Sequence, residues 1–292
     1  MRALVVHPAF LGDAVFLGPA VRALKARWPE GRVAVVATPR GAPAAGLLPG
    51  CDEVVVFDKR GADRGPAGLL RAARRLRGRF DLALVSHYGL RAGLLARLAA
   101  IPRRVGYAPF CSERLPLDRS RPFVERGLRL AARVGAPGDT ALALRAPPEH
   151  AAYAGRVLAG AARPVLGIVP GAEWETKRWG AERFAALARA MGGTALVLGG
   201  PADRELAGRI AALAGGDVRD TTGNAVEEAV ALLARCDAVV GGDTGLVHCA
   251  RALGRPTAAI FGPTAAARHL AGPRDAFVSL GLECQPCHDH GP

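Results

Sequence analysis

The chain has 292 residues, which allows one large domain or two of about 150 residues each. Half of its residues are hydrophobic and 22% are charged, a composition that excludes an intrinsically disordered chain. No run of about 18 uncharged apolar residues occurs, so we expect no transmembrane helix. His7, Pro8 and Asp13 interrupt the apolar start of the chain, which favours a cytoplasmic protein over one with a signal peptide.

The formal net charge of +13 lies entirely in the first half of the chain. Residues 1–150 contain 25 lysines and arginines against 12 acidic residues, whereas residues 151–292 contain 14 of each kind. This asymmetry predicts two domains with different ligands, of which the first domain binds an anion. A basic chain is also compatible with nucleic-acid binding, but no helix-turn-helix, zinc-finger pattern or aromatic-interleaved basic patch supports that alternative.

Short apolar segments alternate with longer amphipathic stretches along the first half of the chain. The predicted strands are 3–7, 32–37, 53–57 and 81–86, and the predicted helices are 14–27, 67–77, 89–99 and 122–134. Prolines and glycines between positions 136 and 150 then break the alternation and predict a linker.

The same alternation resumes in the second half. Its predicted strands are 164–170, 194–200, 237–241 and 257–262, and its predicted helices are 181–190, 203–214, 225–235 and 246–252. This pattern is typical of a parallel sheet covered by helices on both faces. We therefore predict an α/β fold of two doubly wound domains, 1–150 and 151–292, with a ligand in the cleft between them.

The first loop of interest, 7–16, follows the first predicted strand. It lacks the G-x-G-x-x-G fingerprint, which disfavours an NAD-dependent oxidoreductase. Gly12 allows a tight turn, and Asp13 then opens a helix. Helix capping alone would explain Asp13. A carboxylate at the carboxyl end of a strand is also placed to take a proton from an attacking hydroxyl, so the role of general base stays open beside that of cap.

Two loops of the second half carry residues suited to phosphate. Lys177 lies between two tryptophans in the segment 170–184, where it is either an ordinary solvated cation or a partner for a diphosphate. In the segment 241–256, Asp243 and Thr244 precede a helix start at Gly245, and His248 lies on the same helix face as Thr244. Unpaired backbone N–H groups at such a start bind phosphate, although capping and a structural histidine would explain the same residues.

Taken in order, these segments resemble glycosyltransferase family 9, the ADP-heptose–lipopolysaccharide heptosyltransferases. The resemblance covers L-G-D at 11–13, P-G-A-x-W-x-T-K-R-W at 170–179, G-G-P-A-D-R-E at 199–205, G-D-T-G-L-x-H-x-A-x-A-L-G-x-P at 242–256, F-G-P-T at 261–264 and C-x-P-C at 284–287. It implies a GT-B fold of two facing Rossmann-like domains, with the acceptor in the first domain and the nucleotide-sugar in the second. It also implies transfer with inversion, by in-line attack of an acceptor hydroxyl, without a required metal.

The resemblance assigns roles to individual residues. Asp13 would be the catalytic base, and Lys177 would contact the diphosphate. The remaining nucleotide-sugar contacts would come from Asp243, Thr244, Gly245 and His248, together with Gly171, Ala172 and either Asp203 or Glu205. The family often has a threonine pair where this chain has Ala172 and Glu173, so side-chain phosphate contacts are not expected there.

The basic first half is expected to meet an acidic glycolipid acceptor. Lys59, Arg60 and Arg64 follow a predicted strand, and arginine geometry suits carboxylates and phosphates. The helix 67–77 carries four more arginines on its polar side, which form either a solvated face or a contact with anionic lipid on the inner face of the cytoplasmic membrane. Those four are Arg71, Arg74, Arg75 and Arg77.

The C-terminal tail contains four potential zinc ligands, Cys284, Cys287, His288 and His290. Their crowding within seven residues disfavours a single tetrahedral site, and a redox or structural role stays open. The alternatives to a glycosyltransferase are a nucleotide-sugar epimerase of a related two-domain fold and, as a non-enzyme, a nucleic-acid-binding protein.

Overall fold

The computed structural model describes residues 1–287. The contacts within the chain define two compact units, Met1–Leu144 and a second unit that begins at Arg145. Each unit is built on one sheet, and within the described residues each sheet has six strands that all pair in parallel. None of the helices in residues 1–287 has the length and apolar character needed to cross a membrane.

The first unit alternates strands and helices. Its strands are β1 (Arg2–Val6), β2 (Arg32–Ala37), β3 (Glu53–Val56), β4 (Leu82–Val85), β5 (Arg103–Gly106) and β6 (Glu113–Arg114). Its helices are α1 (Leu11–Val15), α2 (Gly18–Arg27), α3 (Ala42–Gly46), α4 (Gly65–Leu76), α5 (Leu90–Leu98) and α6 (Phe123–Arg133).

The second unit repeats this plan. Its strands are β7 (Val165–Val169), β8 (Thr194–Val197), β9 (Asp217–Asp220), β10 (Ala238–Gly242), β11 (Thr257–Phe261) and β12 (Asp275–Ser279). Its helices are α7 (Ala151–Val157), α8 (Ala181–Met191), α9 (Arg204–Ala214), α10 (Val226–Leu233) and α11 (Gly245–Ala252). Single 3₁₀ turns at 148–150, 175–177, 201–203 and 266–268 complete the unit.

Both sheets have the same strand order. It is β3-β2-β1-β4-β5-β6 in the first unit and β9-β8-β7-β10-β11-β12 in the second. The direction of winding therefore reverses between β1 and β4, and again between β7 and β10. In such sheets ligands bind beyond the carboxyl ends of the strands at this reversal. The predicted doubly wound α/β architecture of both halves is confirmed.

Apolar side chains on both faces of the central strands form the cores. In the first unit Leu4, Phe57 and Leu95 belong to one buried cluster under α4 and α5. In the second unit Ile168 and Phe184 anchor the corresponding cluster under α8 and α9. Burial of the central strands on both faces explains why their sequences are continuous apolar runs rather than alternating patterns.

The structure differs from the predicted elements at several places. The predicted helix 14–27 is two helices, because Pro19 near the start of α2 has no N–H with which to continue the bonding of α1. The sequence analysis missed β5, β6, β9 and β12. The last two are edge strands with polar ends, so the apolar-run signal is weak in them.

The predicted linker at 136–150 is partly packed. Arg22 of α2 donates to the Asp139 carboxylate and to the Ala141 carbonyl, both at 2.7 Å. Leu144 is buried, and the boundary between the two units follows it directly. The segment up to Leu144 is therefore part of the first unit.

The close packing of α5 against the loop between β5 and β6 depends on Gly93. A Cβ atom at this position would lie 1.8 Å from the Pro109 carbonyl oxygen. We expect Gly93→Ala to lower the free energy of unfolding by about 2 kcal/mol or more, because backbone must move to admit the methyl group. Urea unfolding followed by circular dichroism measures this change.

Gly208 provides the matched control. It lies within α9, and a Cβ there would meet nothing within 4 Å. Gly208→Ala should raise the free energy of unfolding by about 0.5–1 kcal/mol through helix propensity. If Gly93→Ala were as stable as the wild type, the close contact with Pro109 would not be a constraint on the fold.

Candidate active site

Asp13 lies in α1, just beyond the carboxyl end of β1. It occupies the third position of the helix, where its Oδ2 accepts the Phe10 N–H at 3.0 Å. The sequence analysis placed it as the residue that opens the helix, whereas the helix begins two residues earlier. Asp13 is therefore not the N-cap residue, which is Phe10, but one of its carboxylate oxygens binds the N–H of that cap. The other oxygen accepts no hydrogen bond within residues 1–287.

Two histidines flank Asp13 from the neighbouring strands of the reversal. His7 follows β1 directly, and His87 follows β4 by two residues. Their rings meet edge to face with centroids 5.5 Å apart. The Asp13 charge acts on both imidazoles. Sequence analysis did not assign either histidine, because the contact depends on the pairing of β1 with β4, strands about 80 residues apart in the chain.

The two imidazoles are neutral at physiological pH. Burial, together with the charges of His7 and Lys59, lowers the pKa of His87 to about 4 against the opposing effect of Asp13. Burial likewise lowers the pKa of His7. The Nδ1 atom of His7 is buried and has no hydrogen-bond partner in the described chain. The surroundings of Asp13 therefore supply neutral hydrogen-bonding groups rather than fixed positive charge from histidine.

Lys59 follows β3, as predicted, and lies beside the loop that carries Asp13. Its ammonium donates to the Pro8 carbonyl at 2.7 Å, and it is half-buried beside Asp13. Burial lowers the pKa of Lys59, as do the charges of Arg60 and Arg91. The structure therefore brings Lys59 to the loop that carries Asp13, whereas Arg60 and Arg64 remain on the exposed surface.

The arginines of α4 are not equivalent. Arg75 forms a bidentate ion pair with the buried Asp63 at 2.9 and 3.1 Å, and Arg71 donates to the Ala62 carbonyl. All four predicted arginines are exposed, and two of them also contact Asp63 or the loop that carries it. Arg74 and Arg77 make no such contact in the part of the chain that the structure describes.

In the second unit, the ion pair between Lys177 and Asp243 lies at the strand reversal. Lys177 belongs to the 3₁₀ turn that follows β7, and Asp243 follows β10 directly. Lys177 Nζ lies 2.8 Å from Asp243 Oδ2, with only 13% and 10% of the two side chains exposed. Gly242 permits this approach, since a Cβ there would lie 2.6 Å from the Lys177 carbonyl oxygen.

Asp243 collects further hydrogen bonds. Thr264 donates its hydroxyl to Oδ2 at 2.9 Å, His248 Nε2 lies 3.0 Å from Oδ1, and His269 Nε2 lies 3.5 Å from the same oxygen. Burial would raise the pKa of this carboxyl, but the His248 hydrogen bond and the surrounding positive charge outweigh burial and hold the pKa well below its usual range. Asp243 is therefore a fixed anion.

A second layer of side chains holds this anion in place. The rings of His248 and His269 stack at 4.9 Å, and burial lowers the pKa of His269 to about 3. Arg251 approaches His248 Nδ1 at 3.2 Å and donates to the Asp275 carboxylate at 3.0 Å. His248 is buried, so its ring contacts Asp243 in the interior of the unit and does not lie on an exposed face of α11.

His248 was predicted from the sequence, whereas Thr264, His269, Arg251 and Asp275 were not. Thr264 lies in the F-G-P-T segment, which was noted only as a motif. His269 and Asp275 lie outside the recognised motifs, and Arg251 occupies a variable position of the segment 242–256. These residues come together because β10 pairs with β11 and β11 pairs with β12. The sequence did not predict β12, so this contact could not be foreseen.

Asp243, His248 and His269 are also residues of the kinds that coordinate metal ions. Their ligand atoms lie within 4.8 Å of one another. The Lys177 ammonium and the Thr264 hydroxyl already bind the second carboxylate oxygen. The lysine thus places a positive charge beside Asp243, where a bound cation would be repelled by it.

Thr244 and Gly245 form the start of α11. Thr244 is the N-cap residue, and its Oγ1 is buried without a hydrogen-bond partner in residues 1–287. Buried hydroxyls are nearly always hydrogen-bonded. Together with the first N–H groups of α11, this hydroxyl is a donor set suited to a phosphate oxygen.

The residues expected near the nucleoside separate into two kinds. Asp203 accepts the Gly200 N–H at 2.9 Å and packs so closely on Gly171 that a Cβ there would lie 2.1 Å from its carboxylate. It thus ties the loops after β7 and β8 together. Glu205 is exposed in the first turn of α9, and Ala172 is half-buried beside Gly171.

The C-x-P-C turn packs on the end of β11. Gln285 donates to the Gly262 carbonyl at 2.6 Å, and the Cys287 N–H donates to the Pro263 carbonyl at 3.1 Å. The turn therefore supports the segment that supplies Thr264. His288 and His290 lie outside the described residues, so zinc binding by the tail, which the spacing of the four ligands disfavours, is not tested by the structure.

Comparisons with known proteins identify the family of this chain. The sequence profile of glycosyltransferase family 9 (heptosyltransferase) matches residues 69–291. Lipopolysaccharide heptosyltransferase 2 of Salmonella typhimurium is 29% identical over 295 residues, which cover 90% of this chain and 83% of the relative.

Two solved structures show the same fold. A glycosyl transferase family 9 structure from Veillonella parvula has a TM-score of 0.89 at 22% identity and covers 99% of this chain and 89% of its own. The E. coli ADP-heptose lps heptosyltransferase II has a TM-score of 0.78 at 24% identity and covers 95% of this chain and 90% of its own. Since the family profile matches most of the sequence, the chain belongs to glycosyltransferase family 9, the heptosyltransferase family, and is a glycosyltransferase.

Proposed function

We propose that this chain transfers a heptose from ADP-heptose to a hydroxyl of an acidic, lipopolysaccharide-type acceptor, with inversion at the anomeric carbon. The donor and acceptor classes are those printed in the names of the Salmonella typhimurium and E. coli relatives. The proposal rests on the groups found at the two strand reversals. The reversal of the first unit has a carboxylate with an open oxygen, and the reversal of the second unit has a lysine beside a helix start.

Asp13 acts as the general base of this reaction. The Phe10 N–H fixes one carboxylate oxygen, so the other keeps a defined direction. As the acceptor oxygen bonds to the anomeric carbon, that oxygen of Asp13 takes the hydroxyl proton, and the bond from the anomeric carbon to the diphosphate oxygen breaks. The neutral His7 and His87 can accept or donate hydrogen bonds without competing as cations for the carboxylate.

The second unit binds the donor and stabilises the leaving diphosphate. Asp243 holds one proton of the Lys177 ammonium and leaves two for phosphate oxygens. The Thr244 hydroxyl and the first N–H groups of α11 add neutral donors with the positive end of a helix dipole. These groups are fixed before the reaction begins, so they stabilise the developing charge without reorganising.

The basic first unit supports an acidic acceptor at a lipid surface. Arg60, Arg64, Arg74 and Arg77 are all exposed cations on this unit. Each such cation adds about 1 kcal/mol of attraction near an anionic membrane. We therefore place the enzyme at the inner face of the cytoplasmic membrane as a peripheral protein. Epimerase and nucleic-acid-binding alternatives are disfavoured by the membership in a transferase family.

Replacement of the base gives the first test. Asp13→Asn keeps an oxygen for the Phe10 N–H, so the fold should survive, but the amide takes no proton. We expect kcat for heptose transfer from ADP-heptose to fall roughly 10²–10⁴-fold, with the Kd for ADP unchanged. Transfer to a lipopolysaccharide-type acceptor and calorimetry with ADP measure the two quantities.

Asp139→Asn is the control, because Asp139 is an exposed carboxylate of the same unit. Its partners among the described residues are Arg22 and the neighbouring loop. It should transfer heptose at the wild-type rate. Wild-type kcat in Asp13→Asn would refute the role of Asp13 as base.

Replacement of Lys177 tests the donor site. Loss of a hydrogen bond between charged groups costs about 1.5–3 kcal/mol, so Lys177→Met should weaken ADP binding roughly 10- to 150-fold. Calorimetry with ADP alone measures this change. Arg178→Met removes the adjacent exposed cation, whose one hydrogen bond within residues 1–287 is to the Ala172 carbonyl, and should bind ADP like the wild type. Equal losses in both variants would mean that general charge, rather than Lys177, binds the diphosphate.

A further inference from the structure

The outer surface of α4 and α5 carries positive charge that no acidic neighbour offsets. The two helices contact each other and cover the same buried cluster, so their exposed sides are adjacent. Residues 64–112, which include both helices, contain ten arginines and a single acidic residue, Asp81, which is paired with Arg2. We define the α4–α5 face by six exposed residues of the two helices, Leu70, Arg74, Leu90, Arg91, Arg97 and Leu98.

The exposed side of α5 is a row of leucines bordered by arginines. At about 100° per residue, Leu90, Leu94 and Leu98 lie in one row along the helix. Arg91 lies at one edge of this row and Arg97 at the other. Leu90 is 58% exposed and Leu98 is 39% exposed, whereas Leu94 is half-buried. The side of a surface helix that faces water ordinarily carries polar residues, so leucines at the centre of this side indicate a contact outside the chain.

Two neighbouring side chains enlarge the apolar surface. Leu70 of α4 is 39% exposed. Phe110 is 44% exposed and follows Pro109, whose carbonyl oxygen packs on Gly93 of α5. The exposed apolar groups therefore come from both helices and from a loop fixed against one of them, which gives a surface rather than a single protruding side chain.

The arginines of this surface have no carboxylate partner. Arg74, Arg77 and Arg97 form no ion pair among residues 1–287. The one hydrogen bond of the Arg91 guanidinium in the same part of the chain goes to the Lys59 carbonyl at 3.2 Å. Arginine stems can lie along apolar surface while their guanidinium groups reach phosphate oxygens. Each of these cations adds about fivefold to binding at an anionic bilayer.

The combination of leucines and unpaired arginines selects one kind of partner. A second copy of the chain docked through the same surface would bring the arginines of both copies together, and like charges repel. A nucleic acid would bind the arginines but leave the leucines in water. An anionic phospholipid bilayer offers phosphates for the arginines and acyl chains for the leucines at the same depth.

We propose that the α4–α5 face is the surface by which this protein binds an anionic phospholipid bilayer, with Leu90, Leu98 and Phe110 inserted at the boundary between headgroups and acyl chains. The inference rests on the proposed function and deepens it, because it identifies which surface holds the enzyme at the membrane. It differs from attraction of a basic protein in general, since it requires apolar insertion as well as charge.

Vesicle binding without donor or acceptor is the test. Sedimentation with sucrose-loaded vesicles should show that the wild type binds a mixture of phosphatidylglycerol and phosphatidylcholine about 10-fold or more tightly than phosphatidylcholine alone. Leu90→Gln combined with Leu98→Gln should weaken binding to the mixed vesicles about 10-fold, because less apolar surface is buried. Arg74→Gln combined with Arg97→Gln should weaken it about 25-fold through the loss of two charges.

Matched control variants change the same kinds of residue elsewhere. Arg27→Gln combined with Arg133→Gln removes two exposed arginines of α2 and α6, helices that contribute no residue to the cluster under α4 and α5 in the described chain. Leu213→Gln combined with Leu280→Gln removes two exposed leucines of the second unit. Both controls should bind the mixed vesicles within about twofold of the wild type, because charges beyond a Debye length of the lipid are screened. Thermal unfolding followed by circular dichroism verifies the fold of every variant.

Insertion of the leucine row has its own measurement. Leu90→Trp places an indole in the row, and brominated phosphatidylcholine in the mixed vesicles should quench the fluorescence that this variant adds to the three tryptophans of the wild type. Leu213→Trp, the control, should add fluorescence that brominated lipid does not quench. Unquenched fluorescence of Leu90→Trp on bound vesicles would overturn the proposal.

Two further results would also overturn it. One is a loss of vesicle binding that is equal in the face variants and in their controls, since general charge would then bind the lipid. The other is a dimer that depends on Leu90 and Leu98 in sedimentation velocity together with no vesicle binding, which would assign the face to a second copy of the chain.

This inference and the proposed function fail separately. If the wild type binds vesicles through the α4–α5 face but transfers no heptose from ADP-heptose, the proposed function is wrong and the lipid-binding surface stands. If the wild type transfers heptose and the face variants bind vesicles like the wild type, the proposed function stands and the bilayer contact lies elsewhere.

Discussion

The reversal of winding in each parallel sheet is the constraint on which the candidate site depends. Helices leave β1 and β4 toward opposite faces of the first sheet, and helices leave β7 and β10 in the same way in the second. The loops beyond these strand ends are therefore not covered by a crossing helix. Asp13 with its two histidines occupies one such place, and Lys177 with Asp243 occupies the other. Two unrelated sets of side chains thus owe their positions to one topological rule.

Within the second unit, the electrostatics depend on one buried carboxylate. Asp243 receives Lys177 and Thr264 on one oxygen and His248 on the other, and this full set of partners makes a buried anion tolerable. The network fixes the ammonium as well as the carboxylate. A lysine held this way has lost its side-chain freedom before any ligand arrives, so the cost of ordering it falls on folding rather than on binding.

The sequence predicted central strands, most helices and the three loops well, because buried parallel strands are continuous apolar runs and glycine-rich helix starts are local signals. Asp13, Lys177 and Asp243 all lie in such local patterns. His87, Thr264 and His269 do not, since their roles arise only when strands distant in sequence become neighbours. The environment of Lys59 was likewise hidden, because its partner, the Pro8 carbonyl, belongs to the backbone of another loop.

The contact between Gly93 and the Pro109 carbonyl has a consequence for how this enzyme family can diverge. It fixes α5, which follows Tyr88, to the loop that follows Tyr107, so the backbone sets the width of the recess between the two tyrosines. The charged groups of that recess, Arg114 and Arg119, are exposed and belong to no packed core. Exchange of these two arginines for other polar residues can therefore change the charge of the recess, while the backbone keeps its shape.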